Sequence, residues 1–211
     1  MNDILKGYAE AATPELISRF DGLDCGEIYA PVIDLLRATP SRIADIGSGT
    51  GRDAAWFAAQ GHDVLAVEPV GELREPGMQL HPSNRITWLD DTLPALAKAR
   101  RYGAFDLVAL CGVWHHIDHG VRQTAMASLS EMTATGGLLI MSLRHGPAPR
   151  GRRAFAISPM ETIDEATRFG FTLIRQVEVD SIQPGNRALG VHWTWIALRK
   201  TSQKRRLPQQ P

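Results

Sequence analysis

The sequence predicts an α/β fold: a doubly wound, mostly parallel sheet between helix layers, closed by an antiparallel terminal hairpin. Three observations predict it. From residue 42 onward, short apolar runs alternate with helical segments, the order of successive βαβ units. Those runs are apolar nearly throughout rather than at every second residue, as suits strands buried on both faces. The last two strand-like runs, 171–179 and 191–198, follow one another with no room for a helix between them, so they are expected as antiparallel neighbours.

The elements follow in order. Residues 2–39 read as helical, with Thr13 an N-cap before Pro14 at the first helical position and apolar side chains at helical spacing over 28–36. A first strand over 42–46 enters a Gly-rich turn, and a helix over 52–60 is stopped by Gly61. Strands are expected at 63–67, 85–89, 105–110 and 138–143, the last after a Gly136-Gly137 turn. A helix is expected over 94–101, and Asp118 is placed to cap another that runs to about Thr133. Ser158-Pro159-Met160-Glu161 is a capping-box start for a helix ending at Gly170. The hairpin connection, 180–190, holds Pro184, Gly185, Asn186 and Gly190. The expected organisation is a single domain over 1–199, with residues 1–39 a helical cap and 42–199 the α/β core. The polar, locally basic tail, 200–211, is expected to be disordered.

Composition narrows the partners. A chain of 211 residues, 44% hydrophobic and 22% charged, is long enough to bury a substantial core. Lys+Arg and Asp+Glu both total 23, so the basic excess usual for phosphate-backbone binding is missing and nucleic acid is not the expected partner. Cys25 and Cys111 form no CxxC or Cys/His cluster, so reduced thiols are expected and no metal site. No apolar leader is visible in the first residues, and the longest apolar run, 138–141, is too short to span a bilayer. The expectation is a cytoplasmic protein with no membrane partner.

The sharpest motif is Asp45-Ile46-Gly47-Ser48-Gly49-Thr50-Gly51, directly after the first core strand and before a helix. Gly47 and Gly49 permit a tight turn and close approach of a ligand to the backbone. The helix that follows offers free N–H groups and a positive dipole end. Glu68 lies 21 residues after Gly47, at the carboxyl end of the second strand, where an acid can accept both hydroxyls of a ribose. A dinucleotide fingerprint reads GxGxxG, but here the spacing is GxGxG and Arg52 stands at the third position. Asp45 would also oppose a pyrophosphate while tolerating an ammonium or sulfonium. A nicotinamide oxidoreductase is therefore disfavoured.

With these residues, Asp90-Asp91 after the third strand and Val113-Trp114-His115-His116 after the fourth, the chain resembles the class I S-adenosylmethionine-dependent methyltransferase family over residues 42–198. Within it, the resemblance is to a bacterial small-molecule-type group, through Gly-Arg-Asp-Ala-Ala-Trp at 51–56 and Leu-Arg-His-Gly-Pro at 143–147. The resemblance implies a Rossmann-like, seven-stranded sheet whose last strand inserts antiparallel near one edge. It implies S-adenosylmethionine as cofactor, lying along Gly47, Ser48, Gly49 and Gly51 with Asp45 and Arg52 beside the loop. Glu68, followed by Pro69, would hold the ribose hydroxyls. Asp90 or Asp91 would accept from the adenine amino group, Thr92 and Leu93 would flank the ring, and Cys111 and Gly112 would form the cofactor floor.

Methyl transfer from a sulfonium is an in-line displacement, and placement alone can supply about 7–11 kcal/mol in well-oriented cases. A protonated acceptor atom also needs a base, worth typically ~10²–10⁴-fold. Ligands of open α/β sheets bind beyond the carboxyl ends of the strands, where His115 and His116 lie. Either is a candidate base or acceptor-positioning residue. Trp114 and Tyr8 are candidates to face the cationic sulfonium or the acceptor. Arg144, with His145 beside it, is placed to hold an anionic acceptor, whereas Arg150, Arg152 and Arg153 read as a solvated basic loop. In this family N-terminal helices often cover the acceptor pocket, and Tyr8, Arg19 and Glu27 could face it. The Asn/Asp-Pro-Pro-aromatic motif used on nucleobase and glutamine amino groups is absent after the fourth strand. The expected function is methylation of an O or N atom of a small, anionic metabolite. Methylation of RNA or protein and a non-catalytic cofactor-binding module are the alternatives, and the sequence fixes no oligomeric state.

Overall fold

The computed structural model describes residues 2–149 and 151–202. The tail beyond residue 202 and Arg150 lie outside the described residues. Seven strands form one sheet: β1 (Arg42–Ile46), β2 (Asp63–Val67), β3 (Ile86–Leu89), β4 (Phe105–Cys111), β5 (Thr133–His145), β6 (Phe171–Asp180) and β7 (His192–Lys200), in the order β3-β2-β1-β4-β5-β7-β6. The pairs from β3 through to β5 are parallel, and β7 runs antiparallel between β5 and β6. The expected doubly wound sheet with its antiparallel hairpin is thus observed, the last strand being inserted inside the edge.

Alternation of side chains along each buried strand divides the core into two layers. Ile43, Val64, Ala66, Leu107, Ala109 and Ile140 pack with Tyr29 and Phe57, which come from the helices α3 (Cys25–Tyr29) and α4 (Arg52–Ala59). Ala44, Leu65, Val108 and Leu139 point to the other face, toward Met126 and Leu129 of α6 (Arg122–Met132) and Ala166 of α7 (Pro159–Arg168). The helices α1 (Asn2–Ala11) and α2 (Pro14–Asp21) precede this core.

Three local expectations are corrected, and one helix is added. Residues 94–101 form only a 3-10 turn, Ala99–Tyr102. Leu96, fully buried, takes a left-handed φ of 44°, incompatible with an α-helix, and the Asp91 carboxylate accepts the backbone N–H groups of Lys98 and Ala99, which starts the turn late. The run over 28–36 breaks after Tyr29 because Pro31 has no N–H to continue the helix. The hairpin connection does hold a helix, the short α8 (Pro184–Ala188), with Pro184 at its first position. A helix between β2 and β3, α5 (Gly71–Leu80), is not announced by the sequence because Pro76 and Gly77 stand inside it. Gly77 has a packing reason: a Cβ there would meet the Thr50 carbonyl oxygen at 2.5 Å and the Trp88 ring at 2.7 Å.

Gly51 combines a left-handed φ of 79° with close approach of the Trp88 indole, which a Cβ would overlap. Gly51→Ala is therefore expected to unseat the turn that starts α4 and to lower the melting temperature by several degrees, about 2–4 °C per kcal/mol for a chain of this size. A thermal melt without ligand checks this. An unchanged melting temperature would mean that neither the left-handed φ nor the Trp88 ring resists the added methyl.

Candidate functional site

The strand order reverses direction of growth between β1 and β4, and a cleft of about 1040 Å³ opens at the carboxyl ends of those strands. This is the switch point where open α/β sheets take ligands. The volume lies at the upper end of the range for small-molecule pockets, with room for two ligands side by side.

One part of the cleft is built on the Gly-rich turn. Gly47, Ser48, Gly49, Arg52, Glu68 and Pro69 line it. A Cβ on Gly47 would meet Val113 at 2.6 Å, so only glycine fits there. Gly49, with φ of 57°, would meet nothing within 4 Å, so it faces open space. Glu68 Oε2 accepts the Gly49 N–H at 2.7 Å and Oε1 accepts the Val70 N–H at 2.8 Å. Each carboxylate oxygen keeps one further lone-pair direction for a hydroxyl. Burial raises the Glu68 carboxyl above its ordinary range, while those two N–H groups act against the rise. Ser48 Oγ is buried and has no partner among the described residues. An open glycine face, an acid with free lone pairs and an orphaned hydroxyl together suit an adenosyl amino acid.

Behind this turn lies a buried polar cluster. Arg52 Nε donates to Asp53 Oδ1 at 2.7 Å, Tyr29 Oη donates to Asp53 Oδ2 at 3.0 Å, and Arg52 Nη1 donates to the Phe20 carbonyl at 3.0 Å. Asp45 is 1% exposed, its Oδ2 has no partner among the described residues, and burial pushes its carboxyl well above the usual range. It does not line the cleft itself, and neither does Gly51.

The two aspartates after β3 separate. Asp91 lines the cleft with Thr92 and Leu93, but its carboxylate accepts three backbone N–H groups, from Thr92, Lys98 and Ala99, at 2.8–2.9 Å. The Asp90 side chain is 60% exposed, stands 3.8 Å from Arg74 and does not line the cleft. Cys111 and Gly112 form part of the floor, braced by Ser142, whose Oγ accepts the Gly112 N–H at 2.8 Å.

The other part of the cleft is lined by Tyr8, His115, His116, Arg144 and Arg152. His116 Nδ1 stands 2.7 Å from the Arg153 carbonyl oxygen, which only accepts, so Nδ1 carries the proton. In the neutral ring Nε2 is then an acceptor, and the Tyr8 hydroxyl donates to it at 2.9 Å. Burial lowers the His116 imidazole below its ordinary range, opposed by the Arg153 carbonyl and aided by Arg152 and Arg144, so the neutral ring is the form present at neutrality. Burial raises the Tyr8 phenol and keeps it protonated, with Arg152 pulling the other way. His115 is buried too, its Nδ1 has no partner among the described residues, and burial beside His116 lowers it well below its usual range.

Arg144 Nη1 donates to the Pro147 carbonyl at 2.6 Å, and the side chain has no carboxylate partner among the described residues. The Arg152 guanidinium lies 5.2 Å from the Tyr8 ring centroid, with its Nε buried and unpartnered among the described residues. Arg152 was expected in a solvated loop; the structure turns it inward, because α1 lies against that loop. Gly7 approaches Gly151 so closely that a Cβ would overlap the Gly151 carbonyl oxygen. Arg19 and Glu27 also line the cleft.

Two expected acceptor contacts are corrected. Trp114 is fully buried in the core on the α6 side and does not reach the cleft, because the 3-10 turn Trp114–His116 turns its indole inward while both buried histidines line the cleft. His145 lies on the opposite face of β5 from Arg144, as successive strand residues must. Its Nε2 is 2.9 Å from Thr194 Oγ1 and its ring stacks on His192 at 4.8 Å. Trp193, which the sequence reading missed, takes the cleft face opposite Arg144.

Among the described residues, no cluster of three or more His, Cys, Asp or Glu side chains could hold a metal ion. No described helix is long and apolar enough to cross a membrane.

A family model described as a methyltransferase domain matches residues 25–204. No curated protein matches the sequence. Among solved structures, the chain is similar to a Burkholderia thailandensis 1,6-didemethyltoxoflavin-N1-methyltransferase with bound 1,6-didemethyltoxoflavin and S-adenosylhomocysteine. The TM-score is 0.64 and the identity 23%, over 91% of this chain and 88% of that one. A TehB-like S-adenosylmethionine-dependent methyltransferase from Corynebacterium glutamicum gives 0.63 and 20%, over 93% and 98%. The N-methyltransferase NodS from Bradyrhizobium japonicum, in complex with S-adenosylhomocysteine, gives 0.64 and 16%, over 89% and 98%. At these identities the likeness is one of fold.

Proposed function

The chain belongs to the methyltransferase domain family, as a class I enzyme using S-adenosylmethionine, and from that premise we propose that it methylates an O–H or N–H group of a small, anionic metabolite. The observation that carries this reading is the pair of cleft-lining guanidiniums, Arg144 and Arg152, beside the Tyr8–His116 hydrogen bond. Neither arginine has a carboxylate partner among the described residues, and an acceptor's carboxylate or phosphate would supply one. The solved relative that holds 1,6-didemethyltoxoflavin fits the small-molecule part of this reading.

S-adenosylmethionine supplies a methyl group on a sulfonium, which leaves as a neutral thioether. Glu68 would hold the ribose hydroxyls on its free lone pairs. Thr92 and Leu93 would wall the adenine, and Ser48 and the open face of Gly49 would pack against the methionyl part. Asp91 would meet the adenine edge only with groups its own turn leaves free. Arg144 and Arg152 would fix the acceptor's acid group and so the direction of its reacting atom. Tyr8 Oη takes the acceptor's proton while its own proton moves to His116 Nε2. The resulting imidazolium keeps its Nδ1–H on the Arg153 carbonyl, then returns the proton to solvent. His115, whose Nδ1 has no hydrogen-bond partner among the described residues, is the weaker base.

His116→Asn is expected to cut turnover by roughly 10²–10⁴-fold with the affinity for S-adenosylhomocysteine unchanged. The base works when neutral, so kcat/KM rises with pH through the His116 pKa. Because burial lowers that pKa, the acid limb should lie below the ordinary histidine value. A limb at or above that value would remove His116 from the role. The reading itself is tested by following S-adenosylhomocysteine release across a panel of small acids and their neutral amides. Turnover of acids that Arg144→Gln weakens through KM supports it, and equal use of the amides contradicts it.

A further inference from the structure

We infer that the acceptor is a flat aryl or heteroaryl acid whose ring lies on the Trp193 indole. This rests on the anionic-acceptor reading and narrows it to a substrate class. Arg144 on β5 and Trp193 on β7 are direct cross-strand partners, so both side chains leave the sheet on the same face as near neighbours. Both line the cleft, and Arg144 Nη1 reaches to the Pro147 carbonyl. The indole is only partly buried, and its ring meets that of His115 at 6.2 Å and 76°, making an aromatic corner. A ring laid in that corner would place an attached acid group beside the Arg144 guanidinium.

The corner opens directly onto the cofactor floor. Gly112, at the end of β4, has no side chain, and a Cβ there would sit 3.6 Å from the indole. The bare strand end leaves a ring on Trp193 adjacent to the methyl donor's position. The connection carrying α8 forms the outer wall. Its apolar side chains are uncovered, Ile182 at 38% and Leu189 at 66% exposure, although both line the cleft. The side-chain amides of Gln183 and Asn186, in the same wall, make no hydrogen bond to another described residue and can read polar atoms on a heteroaryl edge. Apolar faces with a few convergent polar groups are the pattern of a specific small-molecule site.

The test uses three probes on the full chain saturated with S-adenosylhomocysteine. They are 2-naphthoate, which is flat and charged, decahydro-2-naphthoate, which is charged but not flat, and 2-naphthalenemethanol, which is flat but neutral. Binding is read by calorimetry. The flat acid should bind about two- to tenfold tighter than the saturated acid, and about tenfold or more tighter than the alcohol. Trp193→Leu should erase the first preference and keep the second, Trp193→Phe should restore the first, and Arg144→Gln should erase the second alone. An acid preference without a ring preference overturns the aryl inference and leaves the anionic-acceptor reading standing. So does a ring preference that survives Trp193→Leu, since the ring then lies elsewhere. A ring preference without an acid preference overturns the anionic reading and the aryl acid with it. Failure of both acids to bind overturns both.

Discussion

Glu68→Ala should raise the dissociation constant for S-adenosylhomocysteine by roughly 10²–10⁴-fold, because hydrogen bonds to a charged group contribute about 1.5–3 kcal/mol each and two ribose hydroxyls are lost. The carboxylate also ties Gly49 to the start of α5 through the Gly49 and Val70 N–H groups, so the unliganded chain should melt lower as well. Calorimetry and a ligand-free melt separate the two effects. The pH dependence has a definite sign. The ribose hydroxyls donate to the ionised acid, so affinity is present above the Glu68 pKa and lost as pH falls through it. Burial raises that pKa, so the loss should begin at a higher pH than an ordinary glutamate would give. Unchanged affinity in Glu68→Ala would remove the ribose assignment.

Gly7→Ala should lower turnover by about 100-fold while leaving the affinity for S-adenosylhomocysteine within a factor of about two, since displacements of about 1 Å at a reacting group cost this much. The added methyl would overlap the Gly151 carbonyl, so α1 and the loop carrying Arg152 must part. Tyr8, the next residue, then loses its 2.9 Å hydrogen bond to His116. The cofactor part of the cleft is built at the ends of β1, β2, β3 and β4 and shares no backbone with that contact. A parallel fall in cofactor affinity would show instead that α1 supports the whole cleft. Unchanged turnover would show that Tyr8 acts independently of this packing.

The sheet was legible because the physics of its strands is local. A run such as Asp63–Val67, apolar and bounded by Gly61 and Glu68, reads as a strand buried on both faces, and the structure places β2 there. The Gly-rich turn and Glu68 were legible for the same reason, since a positive φ and a spacing set by one βαβ unit are written in one stretch of chain. Directions were less so. Arg144 and His145 are both polar and both end β5, and only the pleat decides which faces the cleft. Trp114, His115 and His116 are consecutive, and a single 3-10 turn sends the first into the core and the others to the cleft wall. Arg152 and Trp193 were missed because their placement depends on contacts distant in sequence, Gly7 against Gly151 and β7 against β5. The helix expected over 94–101 failed for a similar reason: Asp91 offers the backbone a cap that propensity does not register.

Thermal unfolding with S-adenosylhomocysteine and NADH titrated separately, on the wild type and on Glu68→Ala, decides whether the Gly-rich turn and Glu68 form the S-adenosylmethionine site. At 100 times its dissociation constant a ligand stabilises by about 2.7 kcal/mol, or about 5–11 °C for a chain of this size. That rise is expected with S-adenosylhomocysteine in the wild type and none with NADH, whereas Glu68→Ala at the same concentrations should rise by no more than about 2 °C with S-adenosylhomocysteine and not at all with NADH. A rise with NADH alone, or a full rise with S-adenosylhomocysteine in Glu68→Ala, would contradict this assignment of the site.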